Sequence, residues 1–178
     1  MAPLPLFSPA PLLVPTVLAT AGGRTAAGAC GYTSDMPHRL TVGDIMTREV
    51  VTLAEDDTLV DARSCMDRGR IRHLPVVRGN RLVGLVTHRD VLAASFSTFA
   101  QVSPREEHRI FAQVPVREVM HEPYAVPPAM RVRDAARIML DNQYGCLPVV
   151  DEFGALLGIV TEADFLRLAV RMLEAIQA

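Results

Sequence analysis

The chain has 178 residues, 49% hydrophobic and 21% charged, with 18 basic against 20 acidic side chains. That length suits one ordinary domain or two small ones sharing a core, and nothing in the near-neutral balance implies a nucleic-acid partner, which usually leaves a strongly basic face. Every basic residue is Arg, a planar fork of donors suited to phosphate and carboxylate, and with no Lys the chain excludes a phosphate-binding loop of the Gly-Lys type.

Residues 1–36 read as an extension, either disordered or translated from a start placed too early, with Met36 the working one. Met1 to Ala21 is apolar but carries Pro3, Pro5, Pro9, Pro11 and Pro15, which forbid a continuous helix and with it a membrane span. The stretch lacks the basic start of a secretory signal, although Ala27-Gly28-Ala29-Cys30 faintly resembles a cleavage or lipidation site.

From Thr41 the elements follow in order. Thr41-Val42-Gly43-Asp44 has capping-box spacing and predicts a short helical turn ending near Met46. Val50–Leu53 predicts a strand, and Leu59, Ala62 and Met66 recur at helical spacing up to a stop at Gly69. Leu74–Val77 and Leu82–Val86, split by Arg78-Gly79-Asn80-Arg81, predict a hairpin, and a helix starts after Thr87 and runs toward Phe99. Ser103-Pro104-Arg105-Glu106 predicts a brief linking helix. The order then returns: strand at Tyr124–Val126, helix at Arg131–Leu140, hairpin from Leu147–Val150 and Leu156–Val160, and a final helix from Thr161 through Phe165, Leu168, Val170 and Leu173.

The return is a repeat. Leu74–Val77 recurs as Leu147–Val150, and Gly84-Leu85-Val86-Thr87-His88-Arg89-Asp90 as Gly158-Ile159-Val160-Thr161-Glu162-Ala163-Asp164. Asp61-Ala62 and Met66 match Asp134-Ala135 and Met139, and Asp44-Ile45-Met46 matches Glu118-Val119-Met120. Two copies of one supersecondary unit predict a closed pseudo-symmetric pair with equivalent clefts. Cys30, Cys65 and Cys146 are odd in number and lack metal-ligand spacing; Cys65 and Cys146 read as small core residues suited to a reducing cytoplasm.

This ordered set, occurring twice between Thr41 and Ala169, resembles the CBS domain, named after cystathionine β-synthase and found in tandem pairs (Bateman modules). The resemblance implies an α+β fold of two β-α-β-β-α units packed about a pseudo-twofold axis. The expected organisation is the extension at 1–36, repeat one at 37–100, a helical linker at 101–114 and repeat two at 115–178. The resemblance also implies clefts for adenine nucleotides or related adenosyl ligands, and dimerisation into a flat disc.

By the same resemblance, Asp90 and Asp164 would accept hydrogen bonds from a ribose diol, while Thr87 and Thr161 would meet phosphate near a helix start. The chemistry is sensible, because a carboxylate presents paired acceptors and a helix N-terminus attracts anions. The same Thr-x-x-Asp spacing is also that of a helix cap that needs no ligand. Arg72, before the central strand, matches a phosphate position, and its counterpart Gly145 offers only backbone. Arg89 could reach a phosphate or a neighbouring subunit. Thr52 and Val126 would bring backbone to the adenine edge, and Tyr144, matching Ile71, would stack on the base.

No nucleophile, base and oxyanion or metal site come together in the sequence, so the reading is non-enzymatic. It is a stand-alone regulatory module, cytoplasmic, without a required cofactor, taking AMP, ADP, ATP or S-adenosylmethionine. Its expected partners are a second copy and an unknown regulated protein, with no nucleic acid and no membrane. The alternatives are a dimerising scaffold that has lost its ligand, and a site for another anion or for Mg²⁺.

Overall fold

The computed structural model describes residues 40–98 and 103–177; the expectations for the N-terminal extension lie outside them. The first repeat holds α1 (Val42–Ile45), β1 (Leu53–Ala54), α2 (Leu59–Gly69), β2 (His73–Arg78), β3 (Arg81–Thr87) and α3 (His88–Thr98). The linker forms α4 (Pro104–Phe111). After a 3-10 turn at Val116–Glu118, the second repeat gives α5 (Val132–Asn142), β4 (Cys146–Val150), β5 (Leu156–Thr161) and α6 (Glu162–Gln177).

In the first repeat β1 runs parallel to β2, with Leu53 opposite Val76, and β2 pairs antiparallel with β3, Pro75 opposite Leu85. In the second, β4 and β5 form the matching hairpin, Pro148 opposite Ile159. The expected first strands are shorter than the apolar runs predict. Only Leu53–Ala54 pairs as a strand in one copy, and in the other a single parallel bridge joins Val126 to Val149. Pro123, Pro127 and Pro128 flank that bridge and carry no N–H to extend it.

Thr caps start several helices. Asp61 Oδ2 accepts from the Thr58 N–H at 2.9 Å and its hydroxyl at 2.6 Å, which holds the Asp61 carboxyl below its ordinary range. Thr41 with Asp44, Thr87 with Asp90 and Thr161 with Asp164 repeat the device. In α5 the equivalent position is Arg131, which makes no side-chain cap. The predicted stop at Gly69 falls one residue early. Gly69 is still helical, and Arg70 takes the left-handed conformation (φ 48°), as Gln143 does at the end of α5 (φ 57°).

The two copies exchange their leading turns. Val42 and Met46 are buried with Val126, Ala135, Leu147, Val149 and Val160 in the core of the second repeat. Reciprocally, Val116 is buried with Leu59, Leu74, Val76 and Val86 in the core of the first, with Val119 and Met120 against it. Backbone bonds secure each exchange: Val42 N–H donates to Met130 O (2.8 Å), and Val116 N–H to Asp57 O (2.7 Å). Thr47 and Ile159 exchange two bonds of 2.9 Å, and Leu85 and His121 two of 3.0 and 3.1 Å. Each copy's last strand is therefore edged by the segment that leads into the other, and the axis passes near the Arg81–Ala155 bridge between the hairpins.

Candidate functional site

The pseudo-twofold arrangement brings the end of β3 and the start of α3 against the junctions that precede β2 and β4. Between them opens a cleft of about 770 Å³. The first repeat supplies Arg72, His73, Thr87, His88, Arg89 and Asp90, and the second adds His121, Tyr144, Gly145, Cys146 and Glu162. Equivalent backbone bonds close its floor on both sides of the axis: His88 N–H to Arg72 O at 2.9 Å, and Glu162 N–H to Gly145 O at 3.3 Å.

Two carboxylates, Asp90 and Glu162, line this space, and Asp90 is the one held by a cap. Its Oδ2 accepts from the Thr87 N–H at 2.8 Å and hydroxyl at 2.7 Å, and His121 Nε2 lies 3.6 Å from the same oxygen. Thr87 thus caps α3 and fixes the carboxylate at once, with both of its bonds on Oδ2. The α3 N-terminus lines the cleft, where the positive end of the helix dipole favours an anion. Arg72 and Arg89 are exposed on the same wall.

The second Thr-x-x-Asp is built differently. Asp164 accepts from Thr161 at 2.8 Å and from Arg167 at 2.7 Å, and only 6% of its side chain is exposed. Neither Asp164 nor Thr161 is on the cleft wall. Among the other residues singled out in sequence, Tyr144 lines the cleft, its ring 5.9 Å from that of Tyr124. Val126 is buried in the core of its repeat. Thr52 lines a separate hollow of about 180 Å³ with Arg48, Val50, Val77, Gly79 and Leu157. The cleft therefore assembles Arg72, Thr87, Arg89, Asp90 and Tyr144, and leaves Thr52, Val126, Thr161 and Asp164 elsewhere.

Three histidines join the assembled group. His73 enters β2 where the sequence favours a core residue; its imidazole lies against Gly145, where a Cβ would fall 2.8 Å from Nε2. Gly145 is thus more than a lost Arg: its missing side chain is the space His73 fills. Burial, then the Arg72 charge, hold the His73 imidazole below its ordinary value. His88 starts α3, and His121 follows Met120 in the slot that Thr47 fills in the first copy. Cys146 is buried at the cleft floor, and burial pushes its thiol up to about 12, which suits packing and not nucleophilic attack. Among the described residues no three His, Cys, Asp or Glu side chains are placed to hold a metal ion, and no helix is long and apolar enough to cross a membrane.

Comparison with known proteins agrees with this architecture. The Vibrio cholerae protein AcuB is 36% identical with a TM-score of 0.69, over 79% of this chain and 98% of that one. CBSX2 of Arabidopsis thaliana, solved in complex with AMP, is 30% identical with a TM-score of 0.63, over 74% of this chain and 97% of that one. An inosine-5′-monophosphate dehydrogenase of Korarchaeum cryptofilum is 34% identical over 118 residues, but this chain spans only 22% of that enzyme's length. CBS domains match at residues 42–97 and 116–171, and the chain belongs to the CBS domain family as a tandem pair.

Proposed function

We propose that the protein is a regulatory module that binds an adenine nucleotide or related adenosyl ligand in the cleft between its repeats. The observation that carries this reading is Asp90: a carboxylate held by Thr87 at a helix start, facing a cleft edged by Arg72, Arg89 and an aromatic ring. Asp90 would take the ribose hydroxyls, the α3 N-terminus with Arg72 and Arg89 the phosphate, and Tyr144 the base. The likeness to CBSX2, whose structure holds AMP, supports the ligand class. The module would work in the cytoplasm and would pass its occupancy to a regulated protein, by binding ligand differently in two states of that surface.

The organisation proposed for the whole chain keeps repeat one at 37–100, the linker at 101–114 and repeat two at 115–178. A second copy is the proposed partner of α6, which leaves Leu166, Val170, Leu173 and Ile176 exposed along one stripe. One observation favours the scaffold reading, in which the dimer alone is the function: Arg167 already occupies Asp164, so one of the two expected ribose acceptors is spent on structure.

A thermal-shift series on the full chain with AMP, ADP, ATP and S-adenosylmethionine separates the two readings. A ligand at a hundredfold its dissociation constant adds about 2.7 kcal/mol, a midpoint rise of roughly 5–10 °C. A rise abolished by Asp90→Ala establishes the module as a sensor. No rise with any of the four, in a protein that light scattering shows to be dimeric, establishes the scaffold.

A further inference from the structure

The hairpin turn of the second repeat holds an aromatic side chain out in water. Phe153, between β4 and β5, is 77% exposed. The turn beneath it is tightly bonded. Asp151 Oδ1 accepts from the Phe153 N–H at 2.9 Å and from the Ala155 N–H at 2.8 Å, and Gly154 supplies the positive φ of the bend (80°). Two bonds to the first hairpin tie the tip down: Leu82 N–H to Gly154 O at 3.0 Å and Leu156 N–H to Asn80 O at 2.9 Å. A ring carried on such a turn has little backbone freedom left to lose when it meets a partner.

The same end of the fold carries a place for such a ring. The hollow of about 180 Å³ is lined by Arg48, Val50, Thr52, Asn80, Leu156 and Leu157. A cavity of about 150 Å³ takes up benzene, so a phenyl ring fits. Phe153 is not on the wall of this hollow in its own chain. Val51 and Leu157 are exposed beside it, which gives the hollow an apolar rim. The charges are complementary. Glu152, next to Phe153, is exposed and makes no ion pair among the described residues. Arg48, at the hollow, spends one N–H on Gly43 O at 2.9 Å and keeps its other donors. The first repeat has neither part: its turn, Arg78-Gly79-Asn80-Arg81, lacks an aromatic, and Tyr124 packs on the core of its repeat at the place equivalent to Val50.

We propose that this end of the fold is an interface between two copies of the chain, in which Phe153 of each copy enters the hollow of the other. Each copy carries one knob and one hole, so a twofold pair makes both insertions at once. Glu152 of one copy then meets Arg48 of the other, at the polar rim of a contact centred on an aromatic anchor. A second copy is the occupant favoured over another protein, because this chain itself supplies the matching size and the opposite charge. The contact is separate from the α6 stripe and does not depend on the nucleotide reading.

Light scattering of the full chain across a dilution series tests this, with Phe153→Ser and Val50→Trp alongside. Phe153→Ser removes the knob from a fully exposed turn, and circular dichroism should show its fold unchanged. It should halve the particle mass, with association weakened roughly thirtyfold or more, as loss of an aromatic anchor does. A contact through α6 would survive the change, so the mass would then fall from four chains to two and not from two to one. Val50→Trp fills the hole and should have the same effect. Mixing the two variants should restore pairing in part, since one keeps its hollow and the other its Phe153. A wild-type chain that stays single overturns the proposal, as does a mass that Phe153→Ser leaves unchanged. Loss of mass without recovery on mixing also overturns it, because Phe153 would then dock somewhere other than the hollow.

Discussion

Met120 of the second repeat packs onto the bare α-carbon of Gly84 in the first, in the space where any other residue would carry its side chain. The reciprocal pair is Met46 on Gly158, where a Cβ would meet Met46 Sδ at 2.8 Å and the Thr47 carbonyl oxygen at 2.7 Å. Both glycines lie mid-strand, facing the exchanged turn of the other copy.

Alanine at either glycine should therefore destabilise the whole pair, by about 1–3 kcal/mol as overpacking does. Gly158→Ala should cost more than Gly84→Ala. At Gly84 the obstacle is a flexible thioether, whereas at Gly158 it includes a backbone oxygen fixed by its bond to Ile159. Urea denaturation of the two variants checks the order.

Asp90 and Asp164 share a sequence position but should separate in function. Asp90→Ala should lower adenine-nucleotide affinity roughly ten- to a hundredfold, the loss of about 1.5–3 kcal/mol of charged hydrogen bonding, and cost about 1 kcal/mol of stability as a cap. Asp164→Ala should leave affinity unchanged and cost about 1–2 kcal/mol of stability, since it removes partners from Thr161 and Arg167. Titration and melting of both variants read the two effects apart.

The empty protein should weaken in mild acid because of His73. Its ordinary value is 6.5 and the folded value is lower, so the unfolded chain binds the proton more readily. The stability this group contributes is intact above about 6.5 and is lost as pH falls through the folded value. His73→Asn should flatten that part of the curve, seen as a smaller drop in urea midpoint between about pH 7.5 and pH 5.5. The Asp61 carboxyl, held low by Thr58, acts in the same direction but only in stronger acid.

Arg70 ends α2 in a left-handed conformation that costs a side-chain-bearing residue about 1–2 kcal/mol. Arg70→Gly should raise stability by about 0.5–1 kcal/mol after the extra entropy of a glycine in the unfolded chain. Its side chain is exposed and not on the cleft wall, so nucleotide binding should not change. A higher melting midpoint with an unchanged binding isotherm meets both expectations.

The hairpins, the helices and their order were legible because they are local. Alternating Val and Leu, a Gly-Asn turn and Thr-x-x-Asp caps each act within a few residues. The cleft was half legible. The family resemblance pointed to Thr87 and Asp90 at the repeated junction, and to Arg72 before the central strand. Nothing local separates Asp164 from Asp90, since Arg167 one turn along α6 is what closes it. His121 gave no signal, because its place is set by pairing with Leu85 across the axis. Gly145 was legible as backbone without a side chain, but not that the room it leaves is taken by His73.

The exchanged turns set a clock on folding. Thr47 leaves the ribosome early, but its partner Ile159 comes 112 residues later (159 minus 47), about 6–22 s at ordinary synthesis rates of 5–20 residues per second. Through that interval the hydrophobic Val42 and Met46 have no core to enter, because it belongs to a repeat not yet made. The core of the first repeat can close once Val116 and Met120 are made, but its own leading turn waits for β4 and β5. Nascent chains stalled short of β5 should accordingly be the form most in need of a chaperone.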